Sequence, residues 1–257
     1  MSGTGGAIWA IDAGNTRIKW GAHSGARWIK QGALDSARRN AQGAIDAVLA
    51  AELAAELSGL PPPQAVVIAN VAGVALRERL AAVLPSTPAP RWIQSARAQC
   101  GVRNSYDDPV QLGCDRWAAL IGAWRLCGGP ALVVNAGTAL TVDALTADGV
   151  FVGGIIVPGA ELMRSALAGN TAGLVMQPGK FSYFPNTTGD AIMSGAIDAM
   201  AGAVERMARF LEETGQPSPA CVLSGGGAAL LEPHLNLDVR VVDNLVLEGL
   251  LAIARAE

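Results

Sequence analysis

The chain reads as an α/β protein built from two copies of one unit, and three observations predict it. Apolar strand-like runs alternate with stretches of helical spacing along the sequence. Two segments repeat one pattern: an apolar strand, a polar residue, Ala-Gly, a Thr-containing turn and a second strand. The first is Ile8 to Thr16 followed by Arg17 to Gly21, and the second is Leu132 to Thr138 followed by Ala139 to Asp143. Their polar residues, Asp12 and Asn135, lie 123 positions apart in a chain of 257. A spacing so near half the length points to an internal duplication rather than a short-period solenoid.

The elements follow in order. Each repeated hairpin runs on to a further turn, at Ser24-Gly25 or Asp148-Gly149, and then to a third strand. Asn40 to Leu57 is Ala-rich with helical spacing, and Gly59 and Pro61 stop it. Ala65 to Ala69 is a continuous apolar run and reads as a buried strand. Val74 to Leu84 is helical up to Pro85. Asp115 to Leu126 is helical and is broken by Gly128-Gly129-Pro130, where the boundary between domains 1–127 and 128–257 is placed. Val150 to Val157 is an apolar, Gly-rich strand closed by Pro158-Gly159, and Glu161 to Ala168 is a short helix. Gly169 to Pro185 reads as loop and Thr188 to Thr214 as a long amphipathic helix. Ala220 to Leu223 is a strand before Ser224-Gly225-Gly226-Gly227, and Asn244 to Ala254 is the last helix.

Composition removes several classes. Hydrophobic residues make up 51% and charged ones 16%, so bulk disorder is excluded. The longest uncharged stretches are interrupted by Gly and Pro, which argues against a membrane-spanning helix. The start carries no basic, apolar leader, so a cytoplasmic protein with no membrane partner is expected. A net charge of −3 argues against a nucleic-acid surface. Four cysteines without a CxxC pair read as free thiols. Two histidines exclude a multi-His metal site, and both are expected in surface or loop positions. The six tryptophans are expected in the core, and Ala201-Gly202-Ala203 suggests close helix packing.

Two constellations carry chemistry. Asp12-Ala13-Gly14-Asn15-Thr16 sits at a strand-to-strand turn, a hairpin of the kind whose backbone N–H groups and polar side chains can be turned to phosphate oxygens. Lys19 adds a cation, and Asp12 offers a carboxylate to Mg²⁺, directly or through water. Gly113-Cys114-Asp115-Arg116 opens a helix. One reading makes Asp115 an N-cap with a solvated Arg116. The other puts a proton-accepting carboxylate beside an anion-binding guanidinium. Asp107-Asp108 reads as a loop pair before Pro109.

These motifs, with Asn135-Ala-Gly-Thr138, Gly153 to Gly159 and Leu247-Glu-Gly-Leu250, occur in register over almost the whole chain, and together they resemble type III pantothenate kinase, a family that includes Bvg accessory factor. The resemblance implies two duplicated actin-like α/β domains with an interdomain cleft, as in acetate and sugar kinases, heat-shock chaperones and actin. It implies transfer of the ATP γ-phosphate to pantothenate, the first step towards coenzyme A. By resemblance, Asp12, Ala13, Gly14, Asn15, Thr16, Arg17, Ile18, Lys19 and Thr138 bind ATP. Tyr106, Gly113, Cys114, Asp115, Arg116 and Thr188 bind pantothenate, with Asp115 the proton acceptor and Arg116 on the carboxylate or amide region. A homodimer is implied, with help from the partner subunit in binding pantothenate. Many members have Asp at the position of Asn135, where it binds K⁺ or NH₄⁺; a neutral amide offers a dipole but no charge. A kinase of the same superfold with another substrate, or a regulatory accessory protein with little turnover, remains the alternative.

Overall fold

The computed structural model describes residues 6–36, 47–171 and 177–256. Two compact units emerge. One comprises 1–101, 106–125 and 244–257; the other comprises 102–105 and 126–243.

The first unit is built on a five-stranded sheet. Strands β1 (Ala7–Ala13), β2 (Arg17–His23) and β3 (Trp28–Asp35) form an antiparallel meander, turned at Gly25 with φ 94°. Strand β4 (Pro63–Asn70) returns parallel to β1, and β5 (Arg91–Trp92) follows parallel to β4, giving the order β3-β2-β1-β4-β5. Alternation decides the faces. Trp9, Ile11, Ile18, Trp20 and Ile68 face one way and pack with Leu49, Leu53 and Leu57 of α1 (Ala47–Ser58) and Leu76 and Leu80 of α2 (Val74–Val83). The expected helix at 40–57 therefore stands from Ala47 onward; its beginning lies outside the described residues. Helix α3 (Cys114–Cys127) meets the final helix here, and that last helix packs against β1 and β4. Strand β6 (Ala98–Gln99) is short.

The second unit repeats the plan. Strands β8 (Ala131–Ala136), β9 (Ala139–Leu145) and β10 (Val150–Pro158) form an antiparallel meander. Strands β11 (Ala220–Ser224) and β12 (Val239–Val241) run parallel on the far side of β8, and β7 (Val102–Asn104) pairs parallel with β10. Helix α4 (Ala160–Asn170) extends two residues past the expected end, taking in Gly169 and Asn170 that were read as loop. Helix α5 (Thr188–Glu213) buries Met200, Val204 and Leu211 against Leu132, Val134 and Val142 of the sheet. Helix α6 (Ala228–Leu231) is one turn, and α7 (Leu245–Arg255) is the final helix that closes the first unit. No helix among the described residues is long and apolar enough to cross a membrane.

Two expectations need correction, those for the histidines and for the tryptophans. His23 is not a surface residue: it is buried on β2, where Nδ1 accepts from the Gly25 N–H at 2.8 Å and lies 3.3 Å from Arg255 Nη2. His234 is half-buried and packs on Phe181 with ring centroids 3.9 Å apart. Trp28, Trp92 and Trp124 are only half-buried, unlike Trp9, Trp20 and Trp117. In the Ala201-Gly202-Ala203 stretch, Ala201 is buried in the core while Gly202 faces open space within the chain, where a Cβ would meet nothing within 4 Å.

Candidate active site

Asp12 is the penultimate residue of β1, paired across the sheet with Lys19 on one side and Ala69 on the other. The turn beyond it is tied down. The Gly14 N–H donates to the Arg17 carbonyl at 3.0 Å, and Ser36 donates through N to the Thr16 carbonyl and through Oγ to the Gly14 carbonyl, both at 2.8 Å. The Val71 N–H donates to the Ala13 carbonyl at 3.1 Å, and Asn15 Nδ2 reaches the Val71 carbonyl at 3.5 Å. Asn15, Thr16 and Arg17 are exposed. Ala13 and Ile18 are buried in the apolar core, so only their backbone is available to a ligand.

Helix α3 brings the second motif to the same unit. Asp115 sits in its first turn and its Oδ1 accepts the Arg116 N–H at 2.8 Å. A Cβ on Gly113 would stand 2.6 Å from Asp115 Oδ1, so any larger residue there would displace this carboxylate. Arg116 is 8% exposed, which rules out the solvated reading. Cys114 Sγ lies 3.6 Å from the Asn70 carbonyl, and burial pushes its thiol up to about 11, so it is unreactive near neutrality.

The two carboxylates feel one another. Burial, then the charge of Asp115, pushes the Asp12 carboxyl up to about 7, against the pull of Lys19. Burial also raises Asp115, opposed by the Arg116 N–H and guanidinium. A cavity of about 340 Å³ borders Gly113 and Cys114 and is also walled by Asn70, Arg77 and Trp92. Sequence reasoning missed these last three. A usable signal existed, because Asn70 and Trp92 end strands parallel to β1, and ligands gather at the carboxyl ends of such strands. Tyr106 is half-buried, and Arg97 fixes its loop by donating to the Tyr106 and Asp107 carbonyls at 2.7 and 2.9 Å. Asp108 caps the following 3₁₀ turn through the Val110 N–H, as its loop position before Pro109 suggested.

In the second unit Asn135 is the penultimate residue of β8, the counterpart of Asp12, and pairs with Thr141 and Ser224. Gly225, at φ 102°, passes so close that a Cβ there would meet Asn135 Oδ1 at 2.6 Å. The Thr138 carbonyl accepts the Gly159 N–H at 2.8 Å, and the Ala136 carbonyl accepts the Gly227 N–H at 2.8 Å. Glycines thus surround this turn as well. Thr188 is the exposed first residue of α5, whose N-cap is Thr187, accepting from the Asp190 N–H at 3.2 Å. The described residues contain no cluster of three His, Cys, Asp or Glu arranged for a metal.

Known proteins resemble this chain over nearly its whole length. The family model described as type III pantothenate kinase matches residues 8–209. The type III pantothenate kinase of Nitrosospira multiformis is 50% identical over 96% of this chain and 90% of its own. That of Aromatoleum aromaticum is 49% identical over 97% and 98%. Among solved structures, a Baf family protein from Campylobacter jejuni aligns with TM-score 0.58 at 18% identity over 96% of this chain and 97% of its own. The activator of 2-hydroxyisocaproyl-CoA dehydratase from Clostridium difficile aligns with TM-score 0.52 at 12% identity over 97% and 94%, a likeness of fold alone.

Proposed function

This chain belongs to the type III pantothenate kinase family, and from that premise we propose how its own residues carry the reaction. The enzyme transfers the γ-phosphoryl group of ATP to pantothenate in coenzyme A biosynthesis. Such a transfer depends on positioning and charge neutralisation more than on covalent help. The observation that carries the assignment is the carboxylate pair: Asp12 beside the tied glycine turn, raised by burial and then by the charge of Asp115 at the head of α3.

Asp115 orients the primary hydroxyl of pantothenate and accepts its proton late in the transfer. Burial raises its carboxyl, and the Arg116 N–H and guanidinium oppose that rise, which favours the ionised form a proton acceptor needs. Arg116 itself, buried alongside, takes the carboxylate or amide region of pantothenate, with Tyr106 and Thr188 completing the substrate site. The backbone of Gly14 to Thr16, with Lys19 and Thr138, receives the ATP phosphates.

The donor set suits Mg²⁺. A hard cation takes oxygen ligands, and a half-buried carboxylate lifted by a second negative charge gains by binding one. Asp12 would hold it, directly or through water, and when bound it neutralises charge on the phosphates. Asn135 presents an amide where a carboxylate would bind K⁺ or NH₄⁺, so turnover without either ion is expected. The enzyme works as a homodimer in the cytoplasm. The exposed Val152, Ile156, Leu162, Tyr183 and Phe184 of the second unit support a second copy, and the free cysteines suit a reducing compartment.

The test is pantothenate-dependent ADP release with MgATP, in sodium alone and then with potassium or ammonium. Release in both is expected. Asp115→Asn should lower kcat by roughly 100-fold or more while ATP binding stays intact. Near-normal turnover in that variant would overturn the role. No release in the native protein would move the reading to another substrate or to a regulatory accessory protein.

A further inference from the structure

The chain between β7 and α3 carries Tyr106 and leads into Asp115, and its regular structure is a single 3₁₀ turn at Pro109–Gln111. A carboxylate that must meet one hydroxyl needs a firmer seat than such a loop supplies by itself. The seat comes from the segment after β5. Its side chains at three alternate positions, 95, 97 and 99, bond to the loop and to α3. Ser95 Oγ donates to the Leu112 carbonyl at 2.7 Å, and both residues are buried. Arg97 spreads its guanidinium over two successive carbonyls, donating from Nη1 to Tyr106 at 2.7 Å and from Nη2 to Asp107 at 2.9 Å. Gln99 Oε1 accepts from Trp117 Nε1 in α3 at 2.9 Å. The segment is itself anchored, because Ile93 is buried and its N–H donates to the Ile68 carbonyl of β4 at 2.9 Å. A run of hydrogen bonds thus leads from the sheet of the first unit to residues on both sides of Gly113-Cys114-Asp115.

We propose that Ser95 and Arg97 are positioning residues for the phosphoryl transfer, Ser95 setting the Asp115 carboxylate and Arg97 setting Tyr106. The inference rests on the kinase reading, in which Asp115 and Tyr106 meet the substrate. The Leu112 carbonyl held by Ser95 immediately precedes Gly113, whose own carbonyl accepts the Trp117 N–H at 3.0 Å in the first turn of α3. A shift at Leu112 is therefore passed to the head of the helix and to Asp115. Arg97 suits its task because a planar guanidinium holds two acceptors at a fixed spacing, which a single ammonium or amide does less well. The two roles separate by chemistry. Asp115 acts on the reacting hydroxyl, so a fault at Ser95 reaches kcat. Tyr106 contributes to binding, so a fault at Arg97 reaches KM.

The experiment measures kcat and KM for pantothenate in the native enzyme, Ser95→Ala, Arg97→Gln and Arg97→Lys, and repeats Ser95→Ala in an Asp115→Asn background. Ser95→Ala should lower kcat roughly 10-fold or more, as expected for a slightly misplaced catalytic group. In the Asp115→Asn background the same change should cost less than about twofold, because the group it positions is already gone. Arg97→Gln should raise the KM for pantothenate roughly 3- to 10-fold with a smaller change in kcat, and Arg97→Lys should recover part of that loss. Thermal melting and ATP binding serve as controls on the fold. Should the buried Ser95→Ala fail to fold, the exposed Arg97 decides, through the KM of its folded variants. A native-like kcat in Ser95→Ala, an equal loss with and without Asp115, or an unchanged pantothenate KM in Arg97→Gln would overturn the assignment while leaving the kinase reading in place. Absence of pantothenate turnover in the native enzyme would instead overturn the kinase reading and the assignment with it.

Discussion

Burial raises the Asp12 carboxyl first, Asp115 raises it further, and Lys19 pulls back. That order makes a prediction for single residues. Asp115→Asn removes one negative charge and leaves burial in place. The Asp12 carboxyl should therefore fall from about 7 while staying above the ordinary carboxylate value of 3.8. Carboxyl ¹³C titration by NMR, without Mg²⁺ or nucleotide, reads this directly; an unmoved Asp12 would mean that the two groups are not coupled. The identity of these residues was legible in the sequence, because a carboxylate before a Gly turn and a Gly-Cys-Asp-Arg helix start are local patterns. Their coupling was not legible, since 103 positions separate Asp12 from Asp115. Arg116 shows the same limit: burial of a guanidinium depends on what packs over it, and the bland reading of a solvated Arg fails for that reason.

At the scale of elements, the close crossing of α3 and α7 decides how the first unit is sealed. A Cβ on Gly249 would run into the Ala118 carbonyl, and one on Gly122 would stand 2.7 Å from the Leu245 carbonyl. Two small residues thus let the helix backbones touch. Gly249→Ala should cost about 1–3 kcal/mol by overpacking, outweighing the gain in helix propensity. Gly169→Ala, in open space on α4, should cost nothing. Urea denaturation of both variants checks the contrast, and equal stabilities would count against the crossing. The long elements were legible from periodicity, as α5 and the three-strand meanders show. Strands β5, β6, β7 and β12 and the single turn of α6 were not, since two to four residues carry no usable period. Their partners, distant in sequence, define them. The role of α7 was hidden in the same way: its apolar stripe announced a buried helix, but not that it returns to the first unit's sheet.

The whole molecule repeats one strand order, β3-β2-β1-β4-β5 in the first unit and β10-β9-β8-β11-β12 in the second, with Asp12 and Asn135 at matching positions. We propose that the duplicated domains follow the halves 1–127 and 128–257, exchanged at two places: 102–105 joins the second unit's sheet, and α7, in 244–257, returns to the first unit. Stability of the ligand-free protein should then carry opposing pH dependences from groups at different places in the fold. Burial, then the charge of Arg255, lowers the His23 pKa, with Glu248 opposing; its neutral Nδ1 accepts from Gly25, and Glu248 in turn accepts from Trp28 Nε1 at 2.7 Å. Below the ordinary histidine value of 6.5 the unfolded chain binds a proton that the folded one resists, so His23 costs stability as pH falls through that window. Asp12 acts with the other sign. Its raised carboxyl takes up a proton in the folded state near 7, well before the unfolded chain does, so acidification stabilises the fold there. A single melting curve mixes the two. The difference between native protein and His23→Gln separates them: the variant should be less stable near pH 7.5, where its lost hydrogen bonds count in full, and the gap in Tm should narrow towards pH 5.5. A gap independent of pH would show that His23 is not held neutral by the contacts that join β2 to α7.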